Sequence, residues 1–318
     1  MVLSSITKKF RAWRIARNTR HEEFKPPQFS RGSRVEGLRY YIEGDDCAPV
    51  TVVFVHGYTL AASSWHFQIA SIAEDARCIA VDLRGHGKSA EVAVADCSID
   101  GAADDVMTVL DDAEVTGPVV FVGHSMGGMV VLNLLRRYPQ FRVNCAGVVL
   151  ISTSAQPFAT GGAAKLLQLP FIDNIRDVAL DNPDEVEALR DKVKEIVVPL
   201  LSSMSFAAET TDGQQEHHVK MINDTPLSTL VGFIDDLEHH DESEALQCVS
   251  NIPARVLVGG SDAMTPVSQS DFICQNWPHA QLRVVDGAGH MLPMEQPAIV
   301  NATITSLLKE VEVMYKPH

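Results

Sequence analysis

Short apolar runs recur along the chain, each ending in a turn and giving way to a helical period. The runs are TVVFV at 51–55, CIAV at 78–81, VVFV at 119–122, AGVVLI at 146–151, VLV at 256–258 and LRVV at 282–285. They lack a strict polar–apolar alternation, which is the pattern of strands covered on both faces. Between them, apolar spacing predicts helices at about 99–113, 127–138, 268–275 and 297–311. Strand and helix in this order predict an α/β fold, a mostly parallel central sheet with helices on both faces.

The rhythm fails in two places. Residues 155–245 are rich in helix formers and hold no convincing strand. Their apolar residues cluster around Leu166–Ile172, Val197–Phe206 and Leu227–Phe233. This stretch is expected to be a helical cap inserted into a core made of residues 37–154 and 246–318. Residues 1–36 form a separate arm. In it Val2, Leu3, Ile6, Phe10 and Trp13 share one side of a helix, until Arg14 and Arg17 rotate onto that side and Pro26-Pro27 end any helix.

Composition narrows the partners. With 46% hydrophobic and 21% charged residues among 318, a globular chain with a substantial core is expected. A net charge of −15 argues against nucleic acid as a partner, because phosphate binding needs a basic surface. Residues 1–40 carry ten Lys/Arg and three acids, a net of +7, so the remainder sums to −22. Such an arm fits three placements: on an anionic membrane surface through residues 1–20, docked on the acidic body, or disordered. No apolar run approaches the roughly 18 residues of a membrane span. The N-terminus lacks the apolar stretch of a secretory signal. Six scattered cysteines without a CxxC pair read as reduced thiols. A cytoplasmic protein is expected, and nothing specifies an oligomeric state.

The chemistry starts at GHSMG, 123–127, a G-x-S-x-G sequence between a strand and a helix. A turn this sharp crowds the backbone, and glycines at 123 and 127 relieve it. It would present Ser125 as a nucleophile. A serine at its ordinary pKa needs a base and an orienting acid. His290, in a glycine-rich loop after the last predicted strand, is the candidate base. Asp262, after its own strand, is the candidate acid, and Asp286 competes with it by closeness in sequence. The main-chain N–H groups of Tyr58 and Met126 are the candidate oxyanion donors. His56, His86 and His124 read as hydrogen-bonded scaffold residues. His217-His218 and His239-His240 read as solvated histidines, since adjacent residues on a helix do not converge on a metal.

Six stretches carry a family resemblance: FVHGY (54–58) with SSW (63–65), VDLRGHGKS (81–89), GHSMGG (123–128), GGSDAMTP (259–266) and GAGHMLPMEQP (287–297). In their order and spacing the chain resembles the α/β-hydrolase superfamily, in its cap-bearing branch of lipases, esterases and cofactor-free haloperoxidases. The resemblance spans about residues 38–311, apart from most of 155–245. It implies Ser125 as nucleophile, His290 as base, Asp262 as orienter, Tyr58 and Met126 as oxyanion donors, and no metal or organic cofactor. It lacks an HGGG run, so the oxyanion loop would be of the short HG-x type. Relatives that open epoxides or remove halide carry aspartate where Ser125 stands, so those activities are not expected. The expected activity is hydrolysis of small-molecule carboxylic esters, with an apolar acyl group suited to the apolar clusters of 155–245. The same chemistry serves thioesters, perhydrolysis and carbon–carbon cleavage. A non-catalytic ligand receptor on this fold is the reading from a different class.

Overall fold

The computed structural model describes residues 29–157, 183–207 and 210–315. The strands are β1 (Arg31–Val35), β2 (Leu38–Glu43), β3 (Thr51–Val55), β4 (Arg77–Asp82), β5 (Val119–His124), β6 (Cys145–Ile151), β7 (Ala254–Gly259) and β8 (Ala280–Val285). They form one sheet in the order β1-β2-β4-β3-β5-β6-β7-β8. From β4 to β8 every neighbouring pair is parallel, and β1 and β2 add an antiparallel edge. The main helices are α1 (His66–Ile72), α2 (Ile99–Asp112), α3 (Met126–Arg137), α4 (Pro183–Ser205), α5 (Asp212–Asp224), α6 (Leu227–Gly232), α7 (Ile234–His239), α8 (Ser243–Cys248), α9 (Val267–Asn276) and α10 (Pro297–Tyr315).

Alternation along a buried strand splits the core into two halves. Val53 and Val55 of β3 face Val106, Leu110, Met129 and Val130 of α2 and α3. Val52 and Phe54 face the other way, toward Trp65, Ile69, Val300, Ile304 and Leu307. Both faces are apolar because both are covered. β8 departs from this pattern: it is the edge strand, and Val284 is exposed.

The six strands expected from the apolar runs are all present, with ends that shift by a few residues. The sheet begins earlier than residue 37. β1 lies inside the stretch read as a separate arm, and it pairs along its whole length with β2. Its sequence, RGSRV, is polar because it is an exposed edge, so no apolar run marks it. The arm helix expected over 2–13, and the apolar cluster at 166–172, lie outside the described residues. Among the described residues between β6 and β7 there are helices and no strand, and no described helix is long and apolar enough to cross a membrane.

Strand order positions the site. The chain passes from β3 to β4 on one side, then returns across β3 to β5 on the other. Where strand order reverses in a parallel sheet, the loops beyond the carboxyl ends diverge and leave a crevice. Register pairs Val55 with Gly123, so the loop His56-Gly57-Tyr58 runs beside the turn at Ser125. That loop is braced from beneath. A proton on Nδ1 of His56 reaches the Gly57 carbonyl (2.8 Å), while its Nε2 accepts from the Leu83 N–H (3.0 Å). His86 bonds the Arg84 carbonyl (2.8 Å) and accepts from the Thr59 N–H (3.1 Å). Both imidazoles act as spacers between backbones, as expected of scaffold histidines.

Two glycines test this close fit. A Cβ on Gly127 would collide with the Val55 carbonyl oxygen, a backbone atom that cannot step aside. A Cβ on Gly117 meets nothing, and its backbone is not in the left-handed region. Gly127→Ala is therefore expected to destabilise by about 3 kcal/mol or more. Gly117→Ala should be neutral, or stabilise by up to about 1 kcal/mol through the unfolded chain. Urea denaturation midpoints of the two variants check this contrast.

Candidate active site

Among the described residues two serines stand immediately before a helix, and they behave differently. Ser98 precedes α2 in an extended conformation, and its side chain caps the helix by accepting from the Gly101 N–H. Ser125 precedes α3 with φ 53° and ψ −124°, and its side chain makes no capping bond. A positive φ costs energy for any residue with a Cβ. Here four bonds hold it: the Ser125 N–H donates to the Ile151 carbonyl (3.0 Å), and its own carbonyl accepts from the N–H groups of Gly128 (2.9 Å) and Met129 (3.4 Å) and from the Thr153 hydroxyl (2.7 Å). From Val119 to Leu135 every residue is buried except Ser125. The strained turn thus lifts one hydroxyl out of the core.

Ser125 and His290 line the same cleft, a space of about 710 Å3 including its open mouth. His290 sits beyond β8 and is 4% exposed. A proton on its Nδ1 is shared by both oxygens of Asp262, at 3.0 and 3.1 Å. Asp262 lies beyond β7 and accepts three more bonds: the N–H groups of Met264 and Thr265 (both 2.9 Å) and the Thr265 hydroxyl (2.8 Å). Burial alone would raise its pKa. The charge and hydrogen bond of His290, with the Thr265 bonds, outweigh burial and hold it down to about 2. The competing Asp286 is exposed on the surface and makes no bond to His290, so the carboxylate on the imidazole is that of Asp262.

Of the oxyanion candidates, Tyr58 stands at the cleft, and Met126 follows the serine in the turn. A Cβ on Gly57, which precedes Tyr58, would lie 3.0 Å from the Ser125 Cβ, so this backbone passes against the serine. The Tyr58 hydroxyl is tied to the Leu230 carbonyl of α6. Met126, fully buried, opens α3 immediately after Ser125. The N-terminal N–H groups of a helix have no intrahelical partner and favour negative charge.

Three supports escaped the sequence reading. Thr265 fixes Asp262, and its only sequence signal was its place in GGSDAMTP. Thr153 holds the Ser125 turn from the far side of β6, with no local signal at all. Glu295, in GAGHMLPMEQP, is buried and accepts the Gly289 N–H on both oxygens (3.1 and 2.9 Å) and the Ala207 N–H (2.9 Å). It clasps the His290 loop to the chain beyond α4. One expectation is corrected: His217 and His218 are buried rather than solvated, because α5 packs over the cleft. Among the described residues no cluster of His, Cys, Asp or Glu is arranged to hold a metal ion.

His124 joins the serine strand to the histidine loop, its Nε2 bonding the His290 carbonyl (2.9 Å). Burial, with the nearby charge of His290, pushes its pKa down to about 3, and burial pushes that of His86 down to about 4. These imidazoles stay neutral in the fold but take a proton near pH 6.5 when unfolded. Their stabilising contribution is complete above about pH 6.5 and declines as pH falls toward their folded values. Each should add a slope of about 1.4 kcal/mol per pH unit between roughly pH 6 and 5. Urea midpoints at pH 7, 6 and 5 should fall accordingly, and His86→Gln should flatten that dependence while lowering stability at pH 7.

With this geometry in place, known proteins give it a family. The alpha/beta hydrolase family model matches residues 52–303. The chain is similar to 3-oxoadipate enol-lactonase 2 of Acinetobacter baylyi, with 26% identity over 275 residues, covering 86% of this chain and 93% of that protein. It is similar also to the dihydrolipoyllysine-residue acetyltransferase component of an acetoin cleaving system from Pseudomonas putida, with 28% identity over 285 residues, 86% of this chain and 67% of that protein. Among solved structures, a malate-bound thermophilic esterase from Thermogutta terrifontis superposes with a TM-score of 0.70 at 26% identity, over 88% of this chain and 97% of that one. The chain belongs to the alpha/beta hydrolase family.

Proposed function

We propose that this protein is a serine hydrolase of carboxylic esters with an apolar acyl group, in the manner of an esterase or monoacylglycerol lipase. The observation that carries the reading is the uncapped hydroxyl of Ser125, raised on a positive-φ turn into the cleft of an imidazole already bonded to Asp262. Esterase and lactonase relatives support ester chemistry. The cleft walls Leu60, Leu201, Leu237, Met264 and Met291 favour an apolar acyl chain.

In this mechanism His290 takes the proton of Ser125 as its oxygen attacks the ester carbonyl. Asp262 fixes the tautomer that leaves Nε2 unprotonated and stabilises the imidazolium that forms. The N–H groups of Tyr58 and Met126 receive the oxyanion, and the α3 terminus adds its dipole. His290 then protonates the leaving alcohol, which departs and leaves an acyl-enzyme. Water, deprotonated by the same imidazole, releases the acid.

Ser125→Ala is expected to lower kcat on p-nitrophenyl esters by roughly 10^4-fold or more with its melting curve retained, and to abolish labelling by a fluorophosphonate. Asp262→Asn should lose on the order of 10^2–10^4-fold. Asp286→Asn, on the surface, should stay within about twofold. Retained turnover in Ser125→Ala would remove the nucleophile assignment, and the opposite ranking of the two aspartates would remove Asp262. A series of acyl esters and monoacylglycerols from acetate upward gives the second check: kcat/KM should rise by about threefold or more per added methylene pair until the cleft is full. A preference for acetate would exclude the apolar acyl site.

A further inference from the structure

Among the described residues, the chain between β6 and β7 brings one ionisable group to the cleft wall, His218 of α5. Its side chain is buried, with the residue 2% exposed, and its Nδ1 has no hydrogen-bond partner among the described residues. Three of its polar neighbours along the wall are already engaged. The Tyr58 hydroxyl donates to Leu230, that of Ser205 to Leu201 (2.7 Å) and that of Thr265 to Asp262. A buried imidazole nitrogen left without a partner is costly. Two imidazoles of the wall carry such a nitrogen: His124 is tied through Nε2 to the His290 carbonyl, whereas the ring of His218 makes no hydrogen bond among the described residues, so it is the polar group a ligand would answer. A half-turn of the ring exchanges Nδ1 with Cδ2 and leaves the packing shape almost unchanged, so either nitrogen can be presented.

The ring is also held in place. Thr211 and Gln214 form a capping box at the start of α5, and the Gln214 side chain donates to the Met294 carbonyl (3.1 Å). Met221 packs with Leu60, Met291 and Met294. Phe206 meets the His218 ring edge-on, with centroids 5.0 Å apart at 82°. A polar group fixed in this way loses little entropy on binding. Burial and the charge of the neighbouring His290 push its pKa down to about 3, so it offers one N–H and one lone pair, not a positive charge. Its partner is then a neutral hydroxyl or keto oxygen, not a carboxylate or phosphate.

We propose that His218 is a specificity-determining residue whose imidazole hydrogen-bonds a hydroxyl or keto group carried by the ester substrate. This rests on the ester-hydrolase reading and narrows its substrates to apolar esters with one neutral polar substituent near the scissile bond. The test compares kcat/KM within matched pairs, ethyl butanoate against ethyl 3-hydroxybutanoate and propyl butanoate against 2-hydroxyethyl butanoate. The wild-type protein should favour the hydroxylated member of at least one pair by roughly 10- to 100-fold. His218→Phe should collapse that ratio to within about threefold, and His218→Gln, which keeps a donor and an acceptor, should retain a larger part of it. The readout is the ratio, with circular dichroism melting as the check on folding. Wild-type ratios near one in both pairs overturn the proposal without any variant. So does a preference that survives in folded His218→Phe, or a higher kcat/KM for the carboxylate analogue, ethyl hydrogen succinate. Turnover of the plain esters in those cases leaves the hydrolase reading standing, whereas no turnover of any ester and no fluorophosphonate labelling of Ser125 overturn both.

Discussion

Everything at the site depends on one backbone conformation, the positive φ of Ser125. It stands where β5 passes into α3 through a single residue. The strain is offset by what surrounds it: the Ile151 carbonyl, the Gly128 N–H, the Thr153 hydroxyl, and glycines at 123 and 127 that let neighbouring backbones close in. A Cβ on Gly123 would lie 2.7 Å from the Gly127 carbonyl oxygen, so the turn is packed against itself as tightly as against β3. Relaxing Ser125 would return its hydroxyl to the helix as an ordinary cap, the arrangement seen at Ser98. At this position a strained backbone and an uncapped hydroxyl occur together.

Asp262 and His290 come from loops beyond the sheet. Asp262 follows β7 and His290 follows β8, so parallel pairing of these strands carries both loops to the same sheet end. The loops are then cross-tied. His124 bonds the His290 carbonyl, Glu295 holds Gly289, and the Met291 N–H donates to the Ser205 carbonyl at the end of α4 (2.9 Å). The last bond, with that from the Ala207 N–H to Glu295, ties the helical segment over the cleft to the histidine loop. On the opposite wall, Tyr58 reaches Leu230 and Thr229 reaches the Gly85 carbonyl, joining α6 to the loops beyond β3 and β4.

Legibility in the sequence followed burial. Fully buried strands such as VVFV announced themselves because both faces must be apolar, and the helices between them kept their period. The edge strand β1 did not: RGSRV has one neighbour and mostly exposed side chains, so its pairing is written in backbone hydrogen bonds that composition cannot report. α1 was missed for another reason. Its seven residues, HFQIASI, are too few to establish a period. At the site, groups with fixed local spacing were legible: GHSMG, the aspartate after one strand, the histidine after the next. Asp262 was favoured over Asp286 by its place after a strand of its own; in the fold Asp262 bonds His290 and Asp286 is exposed. Thr153 was invisible because its partner lies across a strand crossing rather than along the chain.

The buried histidines show how one residue type takes different roles through its surroundings. His56 and His86 each join two backbone groups, so each nitrogen is answered and the ring is a rigid spacer. His290 has one nitrogen on a carboxylate and the other free for chemistry. His218 lacks a backbone or carboxylate partner for Nδ1, although its burial is as deep as theirs. Read as sequence, HH at 217–218 looked like a polar pair facing water. In the fold the two rings diverge: His217 turns toward His66, with centroids 6.1 Å apart, while His218 turns into the cleft. A helix separates adjacent side chains by about 100°. That single geometric fact gives α5 one histidine for packing beside α1 and another for the cleft wall.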